Sequence, residues 1–199
     1  MQTLKQFLRR LARLLGLTSE TKSVELVDLA RKIEPQASLD TLALTASRSE
    51  ILKEIIGHAH RAFTAGGVKT LALFTGAVGT DKVIAAEAIA NELQRGLYRV
   101  DLSRVVSKYI GETEKNLRQL LSAAERADAI LFFDEGDPLF EKRSEVKDSH
   151  DRYANIEINY LLQQLENYHG IAILTTKEEQ PNDELRRRIR FVVDFPYPD

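Results

Sequence analysis

The chain has 199 residues, 43% hydrophobic and 29% charged, with 28 basic and 30 acidic side chains and a formal net charge of −2. That is enough for one well-cored soluble domain with an extension, and no global basic excess argues for nucleic acid. The absence of cysteine excludes a disulfide framework, a thiolate metal site and a cysteine nucleophile, and the histidines at 58, 60, 150 and 169 show no metal-ligand spacing.

Along the chain, Leu4, Phe7, Leu8, Leu11, Leu14 and Leu15 recur at three- and four-residue steps, with Lys5, Arg9, Arg10 and Arg13 between them. This predicts an amphipathic basic helix over residues 1–17, which Gly16 can end. Its apolar stripe suits docking on a partner or on the chain's own domain, and less well a lipid surface. Residues 18–48 read as a linker or extension with one short helix around Val24 to Ile33. From Ser49 a helix with Ile51, Leu52, Ile55, Ile56 and Ala59 on one side runs to the turn at Gly66-Gly67.

A regular alternation follows. Strands are predicted over 70–75, 97–102, 129–133, 171–175 and 191–195, with helices over 82–94, 114–126 and 156–168 between them. That order means crossover connections: an α/β fold with a parallel five-stranded sheet covered by helices on both faces, preceded by an N-terminal helical extension. No apolar run approaches the roughly 18 residues of a spanning helix, and the N-terminus lacks a signal-peptide core. The expectation is a cytoplasmic chain with no membrane span.

Two motifs carry chemistry. Leu71 to Phe74 run into Thr75-Gly76-Ala77-Val78-Gly79-Thr80-Asp81-Lys82-Val83, the strand, loop and helix setting of a phosphate-binding P-loop. Gly76 and Lys82 fit its spacing. Asp81, however, stands where the last glycine belongs, and Val83 where a hydroxyl should ligate Mg²⁺. The second motif, Ile130 to Phe133 followed by Asp134-Glu135, puts two carboxylates at a strand's carboxyl end, which faces the ligand crevice in an open parallel sheet. Asp134 would orient Mg²⁺ or its water and Glu135 would polarise an attacking water; a solvated acidic strand end is the plainer alternative.

Between the motifs, Ser107-Lys108-Tyr109-Ile110-Gly111-Glu112-Thr113-Glu114-Lys115-Asn116-Leu117 resembles the first pore loop of AAA+ ATPases and the helix after it. The resemblance covers residues 50–199. It implies a P-loop NTPase-type fold working as a ring, with Tyr109 and Ile110 projecting into the channel to grip a polypeptide; a surface turn with one tucked aromatic is the plainer alternative. Residues 143–157 and 187–196 resemble the AAA+ proteins of phage-tail-like contractile injection systems in particular. By the same resemblance Arg187 and Arg188, with Arg190 next, would reach a neighbouring subunit's γ-phosphate, unless they form a solvated basic turn.

The departures from the pattern fall on the chemistry. Two unit charges about 5 Å apart repel by about 3 kcal/mol at an effective dielectric of 20, so Asp81 would weaken phosphate binding about a hundredfold. Val83 supplies no metal-ligating hydroxyl, and Thr80 comes too early in the loop to replace it. Lys177 stands where the family has a residue, usually Asn, that holds the attacking water; it cannot accept a hydrogen bond from that water, but it could pair with Asp81 or Asp134. The helical lid of the family would begin about where the chain ends.

The expected nucleotide set is therefore Gly76, Gly79, Thr80, Asp81, Lys82, Val83 and Lys177, binding ATP or ADP weakly with little to hold Mg²⁺ at Asp134. The expected catalytic set, Glu135, Arg187 and Arg188, would be vestigial. The expected function is a non-catalytic assembly or adaptor protein in a homo- or hetero-oligomeric ring, docking on a protein partner through its N-terminal helix. The alternative is an ATP-binding AAA+ enzyme that remodels or threads a protein substrate.

Overall fold

The computed structural model describes residues 29–42, 44–65, 69–77, 81–105, 111–134, 159–177 and 187–196. Its strands are β1 (Ala30–Ile33), β2 (Thr70–Thr75), β3 (Leu97–Asp101), β4 (Ile130–Asp134), β5 (Ile171–Thr175) and β6 (Phe191–Asp194). Its helices are α1 (Ala46–Ala65), α2 (Lys82–Leu93), the single turn α3 (Leu102–Val105), α4 (Glu112–Arg126) and α5 (residues 159–167). One six-stranded sheet has the order β1-β3-β4-β5-β2-β6. The last five strands in that order are mutually parallel, as the alternation of strands and helices requires.

The sixth strand corrects the five-stranded expectation. β1 pairs antiparallel with β3, from Ala30↔Val100 to Ile33↔Leu97, and it arises where a short helix within a linker was expected. Only Ala30 of its four residues is buried, while Arg31 and Lys32 face solvent. Its strand state is set by the edge of β3 and not by its own pattern.

Alternate side chains of the buried strands feed two cores. Leu73, Val100, Leu131, Phe133 and Leu174 pack with Leu117, Leu120 and Leu121 of α4 and Leu161 and Leu165 of α5. Phe74, Leu97, Ile130, Phe132 and Ile173 pack with Leu52, Ile55 and Ala59 of α1 and the alanine-rich face of α2. The run Thr70–Thr75 is buried at every position, which a central parallel strand covered on both sides demands.

The segment ahead of α1 also belongs to this body. Ala37 and Leu42 are buried beside α2, the Gln36 amide donates to Glu87 Oε2 at 3.1 Å, and Asn91 Nδ2 donates to the Ala37 carbonyl at 3.1 Å. α1 itself starts at Ala46, earlier than the expected Ser49. The expected N-terminal helix over 1–17 lies outside the described residues.

Candidate functional site

The carboxyl ends of β2, β4 and β5 meet where the strand order reverses about β2, the position at which open α/β sheets bind ligands. β2 ends in a tight crossing. Thr176 N donates to the Phe74 carbonyl at 3.0 Å, and Phe195 N donates to the Thr75 carbonyl at 2.9 Å. Gly76 follows at φ +118°, and a Cβ there would lie 2.0 Å from the Phe195 carbonyl oxygen. Only glycine meets both demands.

Lys82 opens α2 and is 7% exposed. Its Nζ donates to the Gly76 carbonyl and, at 3.2 Å, to the Thr176 carbonyl. The ammonium is thus held at the carboxyl ends of two adjacent strands by backbone oxygens, which satisfy a buried cation without neutralising it.

Asp81 is the residue that caps α2: its carbonyl accepts from Ala85 N at 2.8 Å and its side chain is exposed. A carboxylate at this end interacts favourably with the helix dipole, which would otherwise favour a bound anion. Asp81 therefore suits the helix by the same charge that opposes a phosphate. Val83 is half-buried and packs against the cluster formed by α1 and α2, so its position is used for packing.

Asp134 ends β4. Its Oδ1 accepts from Thr175 Oγ1 at 3.2 Å and its Oδ2 is paired with Arg99 of β3. Arg99 escaped the sequence reading. A signal for Arg99 exists, since it shares a strand face with Asp101, and the β3–β4 register sets Asp101 opposite Asp134. Lys177 is exposed just beyond β5, and Asp134 pairs with Arg99 among the described residues.

The arginines separate. Arg187 is exposed, Arg188 Nε donates to Glu166 Oε1 of α5 at 2.5 Å, and an Arg190 terminal nitrogen lies 3.1 Å from His58 Nε2 of α1. Two of the three candidates are therefore engaged within their own subunit. Gly111 caps α4 at φ +82°. Gly79, Thr80, Tyr109, Ile110, Glu135 and the segment 143–157 lie outside the described residues.

The donor set fits an anion better than a cation. A buried ammonium, a strand end that tolerates only glycine and a helix N-terminus suit a phosphate. For Mg²⁺ the described residues offer Asp134, already in contact with a guanidinium and a hydroxyl, and no hydroxyl at Val83, which is a poor fit to an octahedral oxygen site. Among the described residues no group of three or more His, Asp or Glu could hold a metal ion, and no helix is long and apolar enough to cross a membrane.

Comparison with known proteins agrees with this geometry. An uncharacterized AAA family ATPase of Sinorhizobium fredii is 31% identical over 179 residues, 86% of this chain and 54% of that protein. A cell division cycle protein 48 homolog of Archaeoglobus fulgidus is 33% identical over 132 residues, 64% of this chain and 18% of that one. The chain thus spans about half the length of the first relative and less of the second. The crystal structure of the FIGL-1 AAA domain shares the fold, with a TM-score of 0.64 at 21% identity over 91% of this chain and 62% of that one; the same domain has been solved with ADP. Residues 72–197 match the family described as ATPase family associated with various cellular activities, and the chain belongs to that AAA family.

Proposed function

We propose that the chain is a nucleotide-binding AAA module that takes ATP or ADP at the Lys82 crevice and acts, in a ring-type oligomer, on a protein partner. The observation that carries this reading is the burial of the Lys82 ammonium against the Gly76 and Thr176 carbonyls at the carboxyl ends of β2 and β5. A phosphate entering there would add a charge-assisted contact to the ammonium. Relatives named as ATPases, and a neighbouring fold solved with ADP, support nucleotide use. A relative named as a 26S proteasome regulatory subunit homolog, 31% identical over 64% of this chain, favours assembly with other proteins. Arg187, exposed at the amino end of β6, is then the arginine best placed to reach a neighbouring subunit.

A second reading, a non-catalytic assembly protein, is favoured by one specific finding. Asp81 serves the α2 N-terminus and Val83 the core, so both positions have been given to the scaffold. Association with a contractile injection system rests on the resemblance of residues 143–157 and 187–196. Titration of the purified protein with Mg-ATP, followed by an assay of released phosphate, decides between the two. Saturable binding with phosphate release supports the enzyme, and binding without release supports the assembly role. The absence of binding at millimolar nucleotide removes the nucleotide-binding reading. Particle mass measured with and without ATP tests the ring.

A further inference from the structure

Far from the crevice, at the amino end of β6, a histidine is built into the junction of three elements. His58 of α1 is 5% exposed. Its Nδ1 lies 2.9 Å from Thr70 Oγ1 at the start of β2, and its Nε2 lies 3.1 Å from Arg190. The imidazole also meets the Phe191 ring edge-on at 5.4 Å between centroids, and the Arg190 guanidinium stands 5.2 Å from the same ring.

These contacts fix the tautomer. A guanidinium can only donate, so Nε2 must accept and the ring proton must sit on Nδ1, donating to the Thr70 hydroxyl. The arrangement exists only with neutral imidazole. A second proton would occupy Nε2, abolish the bond from Arg190 and set two positive groups against each other. Among the described residues, the charged and polar groups facing His58 are Arg190 just ahead of β6, Thr70 from β2, and Arg61 and Glu54 from its own helix. Burial first, then the Arg190 and Arg61 charges, hold the imidazole below the usual histidine range, with Glu54 opposing weakly.

We infer that His58 is a proton-operated latch that holds the arginine-bearing segment 187–190 against α1 and releases it when the imidazole is protonated. The segment is gripped from both sides of the sheet. Arg188 is tied to Glu166 of α5 on one side and Arg190 to His58 of α1 on the other. Protonation leaves the Glu166 tie intact and opens the other, so the start of β6 can shift without unfolding the sheet. The latch is independent of whether the crevice binds nucleotide, so its failure and that of the proposed function are separable.

The test is hydrogen exchange of the β6 amides in the full chain near neutral pH and at about pH 5, corrected for intrinsic rates, together with an NMR titration of His58. Wild-type protein is expected to lose about tenfold protection at Phe191–Asp194 relative to β4 on acidification. H58Q, whose amide can accept from Arg190 and donate to Thr70 at either pH, should abolish the difference. R190Q should raise the His58 titration point in otherwise native protein, a readout that holds if H58Q does not fold. The inference is overturned by β6 protection that changes with pH no more than β4, by an equal loss in folded H58Q, or by a His58 titration point indifferent to R190Q.

Discussion

The two buried basic side chains among the described residues differ in how they are satisfied. At the carboxyl end of the sheet, the Lys82 ammonium is held by backbone carbonyls that carry no net charge. At the amino end of β6, the His58 ring has a hydroxyl on one nitrogen and a guanidinium on the other. At Lys82 an incoming anion would meet an ammonium already fixed in position by backbone oxygens. At His58 any added proton must break the contact from Arg190. One site is therefore arranged to exchange partners and the other to resist exchange until it titrates.

Substitutions should break or sharpen this contrast in a definite order. The largest effect is expected at Gly76. G76A places a methyl group 2.0 Å from the Phe195 carbonyl at a strained φ, and urea denaturation should show a loss of more than about 3 kcal/mol or failure to fold. Next, D81G with V83T should raise nucleotide affinity about a hundredfold by calorimetry, the Coulomb cost of one charge about 5 Å away. The same protein should lose about 0.5 kcal/mol of stability through the vacated helix N-terminus. An unchanged affinity would mean that the crevice is closed for reasons beyond these two side chains.

The pH dependence comes third. His58 has a folded pKa below its unfolded value, so the unfolded chain binds more protons in the interval between them. Its contribution is complete above about pH 6.5, the unfolded value, and is lost as pH falls through the depressed folded value. Melting temperatures of wild type should therefore drop more steeply than those of H58Q on acidification. The smallest effects separate the arginines. R188A should cost about 1 kcal/mol or less through the partly exposed pair with Glu166, and a cycle with E166Q should recover that coupling. R187A should leave stability within about 0.5 kcal/mol, so that any loss of oligomer or activity it causes reports on a contact outside the subunit.

How much of this was legible in the sequence follows from the range of the forces involved. β2, β4 and β5 were placed closely because each is a short apolar run, buried on both faces and bounded by turn or charged residues. β1 was not, because Ala30-Arg31-Lys32-Ile33 has the same end-to-end spacing as one helical turn and gains its hydrogen bonds from β3, far along the chain. The P-loop spacing located Lys82 but could not show that its ammonium turns onto the Gly76 and Thr176 carbonyls. Nor could it show that Asp81 caps a helix. The Asp134–Arg99 pair requires the β3–β4 register, and His58 meets Arg190 only after α1 has packed on β6, a meeting of residues far apart in sequence that no local pattern announces.

β1 has a consequence of its own. A sheet edge left open is a template on which a second copy can add strands, and the parallel strand β3 would be such an edge. β1 covers it antiparallel with a strand of four residues whose outward side chains include Arg31 and Lys32. Short length and two positively charged side chains discourage further strand addition, so at this boundary the chain is protected against edge-to-edge aggregation by a segment that the sequence reads as a short helix within a linker.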